Sequence, residues 1–218
     1  QKAWTVGRFG DYFLNSIIVT LPTVIAVVVL SALAGYGISR FKFPGRNIMF
    51  YGILLGLTVP FQSVMIPLYY QLNSLGLIGT YWGMILPSIA FGLPFGVFLM
   101  QAFFEDLPHE LSDAARIDGC SEYRIFKDVM LPLARPAVAS LTVFQFMSTW
   151  NNFIMPLLFM QDSNMRTLPL GLRFFKGRYT QDIALLAAGV TITTLPVVII
   201  YILFQRQFVK GLTAGAVK

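Results

Sequence analysis

Seven of the ten acidic residues in this 218-residue chain fall between Glu105 and Arg135, in the run EDLPHELSDAARIDGCSEYRIFKDVMLPLAR. The same run holds the only histidine, His109, and the only cysteine, Cys120. These residue types can ligate metals or catalyse, but their number and spacing point away from both. A zinc site takes three or four ligands, and His109 has neither a second histidine nor a cysteine pair near it. Cys120 follows a glycine and reads as a small, half-buried residue rather than a redox centre. Being alone, it forms no internal disulfide. No Gly-x-x-x-x-Gly-Lys-Ser/Thr run is present, so the chain does not cradle ATP by itself. Gly45-Arg46 and Gly177-Arg178 read as turns. Neither His-Glu-x-x-His nor Gly-x-Ser-x-Gly occurs, so nothing points to hydrolysis.

The chemistry left to this run is recognition of a partner. Its sequence predicts a helix over Leu107–Asp118. Leu107, Leu111, Ala114 and Ala115 then share one face at i, i+4, i+7 and i+8. Pro108 suits a first turn, and Glu110 favours the positive end of the helix dipole. Gly119 stands where a left-handed cap would end the helix. Ser121 is placed to cap a second helix, with Glu122 in its first turn. That helix would present Tyr123, Phe126 and Met130 and stop at Pro132. The paired alanines make a shallow face that a groove can approach closely. Pattern alone leaves two readings open: a docking element, or an amphipathic hairpin packed beneath its own helices.

The rest of the chain must position this hairpin, and it is apolar. Hydrophobic residues make up 56% and charged residues 12%, about half the charge of a soluble domain. Such a chain cannot cover a water-soluble body. The net charge of +6 is spread in short groups between apolar blocks, the pattern of a membrane protein rather than of a nucleic-acid binder. Five segments approach the ~20 apolar residues a bilayer requires, at 14–39, 47–71, 81–104, 136–160 and 182–208. The second carries Pro60 and Pro67, the third Pro87 and Pro94, and the fifth Pro196. Each proline is expected to kink its helix.

Arg40, Lys42 and Arg46 mark a cytoplasmic turn at Pro44-Gly45. Alternation then places the Glu105–Arg135 run and the C-terminus in the cytoplasm. It also places Asn73–Thr80 and Gln161–Gln181 outside, although the latter carries Arg166, Arg173, Lys176 and Arg178. Trp4, Trp82 and Trp150 fall near outer ends, as interfacial anchors do. Residues 1–13 read as an outer-side segment, 14–208 as the transmembrane domain with 105–135 as its cytoplasmic loop, and 209–218 as a cytoplasmic tail. The first residues carry neither a secretory signal nor an initiator Met, so the N-terminus is expected to be incomplete.

The run Glu110-Leu-Ser-Asp-Ala-Ala-Arg-Ile-Asp-Gly119, followed by Leu131-Pro132, resembles the EAA loop of ABC importer permeases. It is most similar to the carbohydrate importers of the maltose-permease type. Phe41–Arg46, Ile66–Tyr69, Leu75-Gly-Leu77, Trp150–Phe153 with Pro156-Leu157, and the tail Phe208–Lys218 extend the likeness over almost the whole chain. One departure is visible: the family's usual Glu is Asp113 here, with the charge kept and the reach one methylene shorter.

The resemblance implies an all-α polytopic membrane helix bundle, with one further span ahead of residue 1 making six. It implies that the hairpin is the coupling helix docked in a cleft of an ABC ATPase dimer, with Glu110, Asp113, Ala114, Ala115, Asp118 and Gly119 at that contact. The chain would carry no cofactor, since ATP and Mg would bind the partner ATPase. Further partners would be a second permease in a heterodimer, a periplasmic or extracellular solute-binding protein reached by the last outer loop, and membrane lipid. The location would be a bacterial or archaeal plasma (inner) membrane, multi-pass.

The spans contain no Asp, Glu, Lys or Arg deep inside, which argues against an ion-coupled secondary carrier. A membrane scaffold or receptor subunit without transport is the other alternative. Asn15, Gln62, Asn151 and Asn152 could hydrogen-bond sugar hydroxyls, with Tyr69 or Trp150 as stacking surfaces. Packing between helices would use the same polar groups. Arg173 and Lys176 could attract an acidic patch on the binding protein.

Overall fold

The computed structural model describes residues 8–178 and 183–214; side chains are described for these except 174–178, 184–186 and 206–214. Among the described residues the chain is helical, with no strand. The elements are α1 (Phe9–Arg40), α2 (Arg46–Leu55), α3 (Phe61–Ser74), α4 (Trp82–Asp106), α5 (Glu110–Ile117), α6 (Glu122–Leu133), α7 (Arg135–Trp150), α8 (Ile154–Phe159), α9 (Leu168–Arg178) and α10 (Ile183–Ala214). Three of these are long and apolar enough to cross a membrane: α1, α4 and the Ala187–Gln205 part of α10. Two bent pairs, α2 with α3 and α6 with α7, bring the number to five if each is one span.

Two predicted spans are interrupted. The 47–71 segment stops being helical at Val59 and Pro60, both extended at ψ 105° and 136°. A residue before proline is driven from the helical region by the ring, and Pro60 has no N–H to continue the ladder. By contrast, Pro22, Pro67 and Pro196 lie inside continuous helices. The 136–160 segment ends as a helix at Trp150 and resumes at Ile154. There the Asn152 Oδ1 accepts the Met155 N–H at 3.1 Å, a side-chain cap that starts α8 afresh. Pro44-Gly45 does turn the chain, with Gly45 at φ 82° and the Arg46 N–H on the Phe43 carbonyl.

The contacts divide the chain into two compact units. The first comprises Gln1–Val24, Pro60–Ala90 and Gln145–Leu203. Within it, the start of α1 holds the segment before α9. The Asn15 amide donates to the carbonyls of Asn164 and Arg166 at 2.7 and 3.0 Å and accepts from the Tyr81 hydroxyl at 2.7 Å. The Ser16 hydroxyl accepts the Leu168 N–H at 2.9 Å, opening α9. Gly171 lies so close to the Tyr12 ring that a Cβ would overlap it.

The second unit comprises Ile25–Val59, Phe91–Phe144 and Phe204–Lys218. Here α1 and α4 meet through small residues. A Cβ on Gly35 would stand 2.7 Å from the Gln101 backbone nitrogen, and one on Gly96 would overlap Ser31 Oγ. Close backbone approach of this kind is how apolar helices gain dispersion contacts where no hydrophobic force separates them from lipid. Below that contact lies a core of Tyr36, Met100, Phe104, Ile125, Phe126 and Met130.

Candidate functional site

The acidic run forms the helical hairpin α5–α6, and its geometry follows from a few local devices. Helix α5 begins at Glu110 rather than at Leu107, because His109 serves as its N-terminal boundary and Pro108 stays in the preceding loop. At its end Gly119 takes φ 77°. The Cys120 N–H reaches the Ala115 carbonyl and the Gly119 N–H the Arg116 carbonyl, both at 3.0 Å. This pair of bonds satisfies the last carbonyls of the helix and needs a left-handed residue, which glycine supplies without Cβ strain. The Ser121 hydroxyl accepts the Arg124 N–H and caps α6.

The faces differ from the sequence expectation. In α5 only Ser112 and Ala115 are buried. Ala114 and Leu111 lie outward with Glu110, Asp113 and Asp118, and Ile117 is 87% exposed. The eight-residue helix has too little apolar surface to bury a stripe that wide. In α6, Tyr123 is exposed while Ile125, Phe126 and Met130 are buried. Residues Ile125–Met130 are wound as a π-helix, with the Leu131 N–H on the Phe126 carbonyl five residues back. The wider turn shifts the register away from 3.6-residue spacing. Pro132 does not end the helix, which runs to Leu133 and bends by 75° into α7.

Two charged residues, read from the sequence as a turn cation and a surface residue, tie the hairpin to the core. Arg40, the last residue of α1, is buried. Its guanidinium donates to the carbonyls of Phe104 and Leu107 at 2.5 and 2.7 Å and meets His109 Nδ1 at 2.9 Å. A cation on the last carbonyls of α4 is favourable for the helix dipole. It also accounts for His109, which holds a guanidinium. Arg116 bridges the two hairpin helices, with Nη1 on Asp113 Oδ1 and Nε on Glu122 Oε1, both at 2.7 Å. The hydrogen bond from Arg116 is the main reason that the Glu122 carboxyl is held below its ordinary pKa, and the same bond raises Arg116. Glu122 also accepts from the Tyr36 hydroxyl at 3.4 Å. The Tyr36 ring in turn packs against Phe104 and Phe126 at 5.6 and 5.1 Å between centroids. Spacing i, i+3 for Asp113–Arg116 was visible in the sequence; the reach of Arg116 across the glycine turn was not.

The hairpin therefore projects from the core, presenting Glu110, Asp113, Ala114, Ile117 and Asp118 on one outward face.

Comparison with known proteins places this geometry. The family described as binding-protein-dependent transport system inner membrane component matches residues 27–213. The chain belongs to that family. The permease is 39% identical over 216 residues to the diacetylchitobiose uptake system permease protein NgcG of Streptomyces coelicolor, covering 98% of this chain and 72% of that one. It is 40% identical over 212 residues to the arabinooligosaccharides transport system permease protein AraQ of Halalkalibacterium halodurans, covering 97% and 75%. Its fold matches a chain of a bacterial ABC transporter involved in import of the acidic polysaccharide alginate, with a TM-score of 0.78 at 24% identity over 92% of this chain and 75% of that one. This is a multi-pass inner-membrane permease of ABC importers, not itself a catalyst.

The other expected residues of the permease lie in the first unit. Asn15 and Trp150 are buried with their polar groups engaged; the Trp150 Nε1 donates to the Thr193 carbonyl at 3.0 Å and its ring stacks on Phe146. Phe13 also meets that ring in a T-shaped contact, and the side chain is buried. Asn152 caps α8. Tyr69 accepts from Gln161 at 3.0 Å. Gln62 and Asn151 are exposed, and their amides have no hydrogen bond among the described residues. Arg173 lies over the Phe153 ring at 5.5 Å. The Lys176 and Arg178 side chains, Trp4, and the side chains of the 208–218 tail lie outside the described residues.

Proposed function

We propose that this permease is one of two membrane subunits of an ATP-driven importer for a sugar or sugar-like solute, working by alternating access. Support for the solute class comes from relatives whose own names carry diacetylchitobiose, arabinooligosaccharides and trehalose. In this reading the hairpin faces the cytoplasm together with the C-terminus, and a separate ATPase dimer binds ATP and Mg. Its nucleotide-driven closure pushes on Glu110, Asp113, Ala114 and Asp118, with Ile117 as the apolar centre of the contact. Ala115 and Gly119 act from beneath: one lets α5 sit close on the core, the other sets the angle between α5 and α6. A second, different permease completes the pathway, and a solute-binding protein docks on the opposite side near Arg173 and Lys176.

The observation that carries the coupling role is the outward face of α5, held on a buried core by Arg40 and by the Arg116 bridge. Solute contacts are assigned to Gln62, Asn151 and the Tyr69 ring, since Asn15, Asn152 and Trp150 already serve the fold. The test is Asp113→Lys combined with Gly119→Val. ATP hydrolysis by the assembled importer should persist, while sugar uptake should fall at least about tenfold, as expected when a contact of roughly 1.4 kcal/mol or more is lost. Normal uptake by the double variant would sink the coupling role.

A further inference from the structure

Between α1, α6 and the start of α7 lies an open groove of about 690 Å³. Its wall is apolar, built from Val28, Ala32 and Leu33 of α1, Phe126 and Leu131 of α6, and Val138 of α7. Two cations, Lys127 and Arg135, also line it, and no carboxylate does. Neither cation has a hydrogen bond or ion pair among the described residues, whereas Arg8, Arg40 and Arg116 are all paired.

We propose that this groove binds a glycerophospholipid with an anionic headgroup. The apolar wall on α1 lies two to three turns before Arg40, inside a helix able to cross the bilayer. An acyl chain laid there meets only carbon. The phosphate would sit with Lys127 and Arg135, where α6 bends into α7. An apolar helix in the groove would leave two cations desolvated and unpaired, which is costly. A neutral lipid would leave them without net charge compensation. Basic pockets between membrane helices at the cytoplasmic surface are suited to anionic headgroups for this reason, and the guanidinium fork of Arg135 matches two phosphate oxygens. Tyr123, also on the groove, is a residue type favoured at headgroup level. Since Phe126 belongs to the core under the hairpin, a lipid here would brace the hairpin from the membrane side.

The experiment uses the complete assembled importer in phosphatidylcholine nanodiscs doped with phosphatidylglycerol carrying a photoreactive group in its acyl chain. Label should appear on the Val28–Leu33 and Val138 peptides. Unlabelled phosphatidylglycerol should compete for it and phosphatidylcholine should not. Lys127→Gln with Arg135→Gln should reduce the label on the order of tenfold, and Lys127→Arg with Arg135→Lys should retain it. Equal labelling by a phosphatidylcholine probe would overturn the proposal. So would label indifferent to loss of both cations, or cross-linking of these peptides to another protein segment instead. The competition arm uses unaltered protein and does not depend on the variants folding.

Discussion

At the residue scale, Arg116 and Glu122 carry the largest consequence for so few atoms. They close the hairpin across Gly119, and Arg116 also takes the carboxylate expected to face the ATPase, Asp113. Asp113 is thus part of an ion pair rather than a lone charge. The shorter side chain suits this role, because it meets Arg116 one turn away. A carboxyl whose folded pKa is depressed adds stability above its ordinary pKa and loses it as pH falls through the lowered value. The Glu122 contribution is therefore full at neutral pH and disappears in acid. Arg116 is raised, so its charge is kept throughout this range. Both side chains are partly in water, which keeps the effect below about 1 kcal/mol. Protection of the Gly119 and Cys120 amides, measured against the intrinsic exchange rate at each pH, should fall on acidification, and Glu122→Gln should show the lower protection already at neutral pH with little further response to acid. An identical acid response in the parent and the variant would refute this role for the carboxylate.

At the scale of elements, the contact between α1 and α4 decides whether the hairpin rests on a firm base. Gly35 faces backbone atoms of α4 that have nowhere to move, whereas Gly37, two residues on, has nothing within 4 Å of a Cβ. The two positions share a helix and the same intrinsic gain from alanine, so they isolate packing. Gly35→Ala should lower the stability of the purified importer by about 1–3 kcal/mol through overpacking, while Gly37→Ala should leave it unchanged or slightly higher. Thermal unfolding of the two variants side by side checks this; equal melting temperatures would mean that the helices separate without cost.

At the scale of the whole molecule, one compact unit holds the α5–α6 hairpin and the other holds the amides of Gln62 and Asn151 together with Arg173. If Arg173 and Lys176 receive the binding protein, Arg173→Glu with Lys176→Glu should weaken stimulation of ATPase activity by the sugar-loaded binding protein in proteoliposomes. Basal ATPase activity should be untouched, since neither residue lies on the hairpin. Unchanged stimulation would remove that surface from the docking site. Arg173 packs on Phe153, so its reversal also tests whether that position in α9 matters through charge or through stacking; Arg173→Lys separates the two.

Much of this molecule was written in local sequence. The apolar blocks, the glycine cap at 119 and the Ser121 cap depend on residues within a turn or two of one another, and periodicity and turn chemistry report such relations directly. The family was legible too, because the Glu110–Gly119 run is a compact signature. What tertiary structure decided is which polar groups are spoken for. Asn15 finds partners about 150 residues away, and Trp150 finds one on α10; no spacing rule reveals such pairs. The inward face of α5 was set by the core beneath it, because a helix of eight residues cannot choose its own buried side from pattern alone. The π-helical turn in α6 likewise lies beyond what helical spacing reports. Nor does Arg40 differ in sequence from any loop cation. Only the fold brings the end of α4 to it and makes it the residue that seats the hairpin.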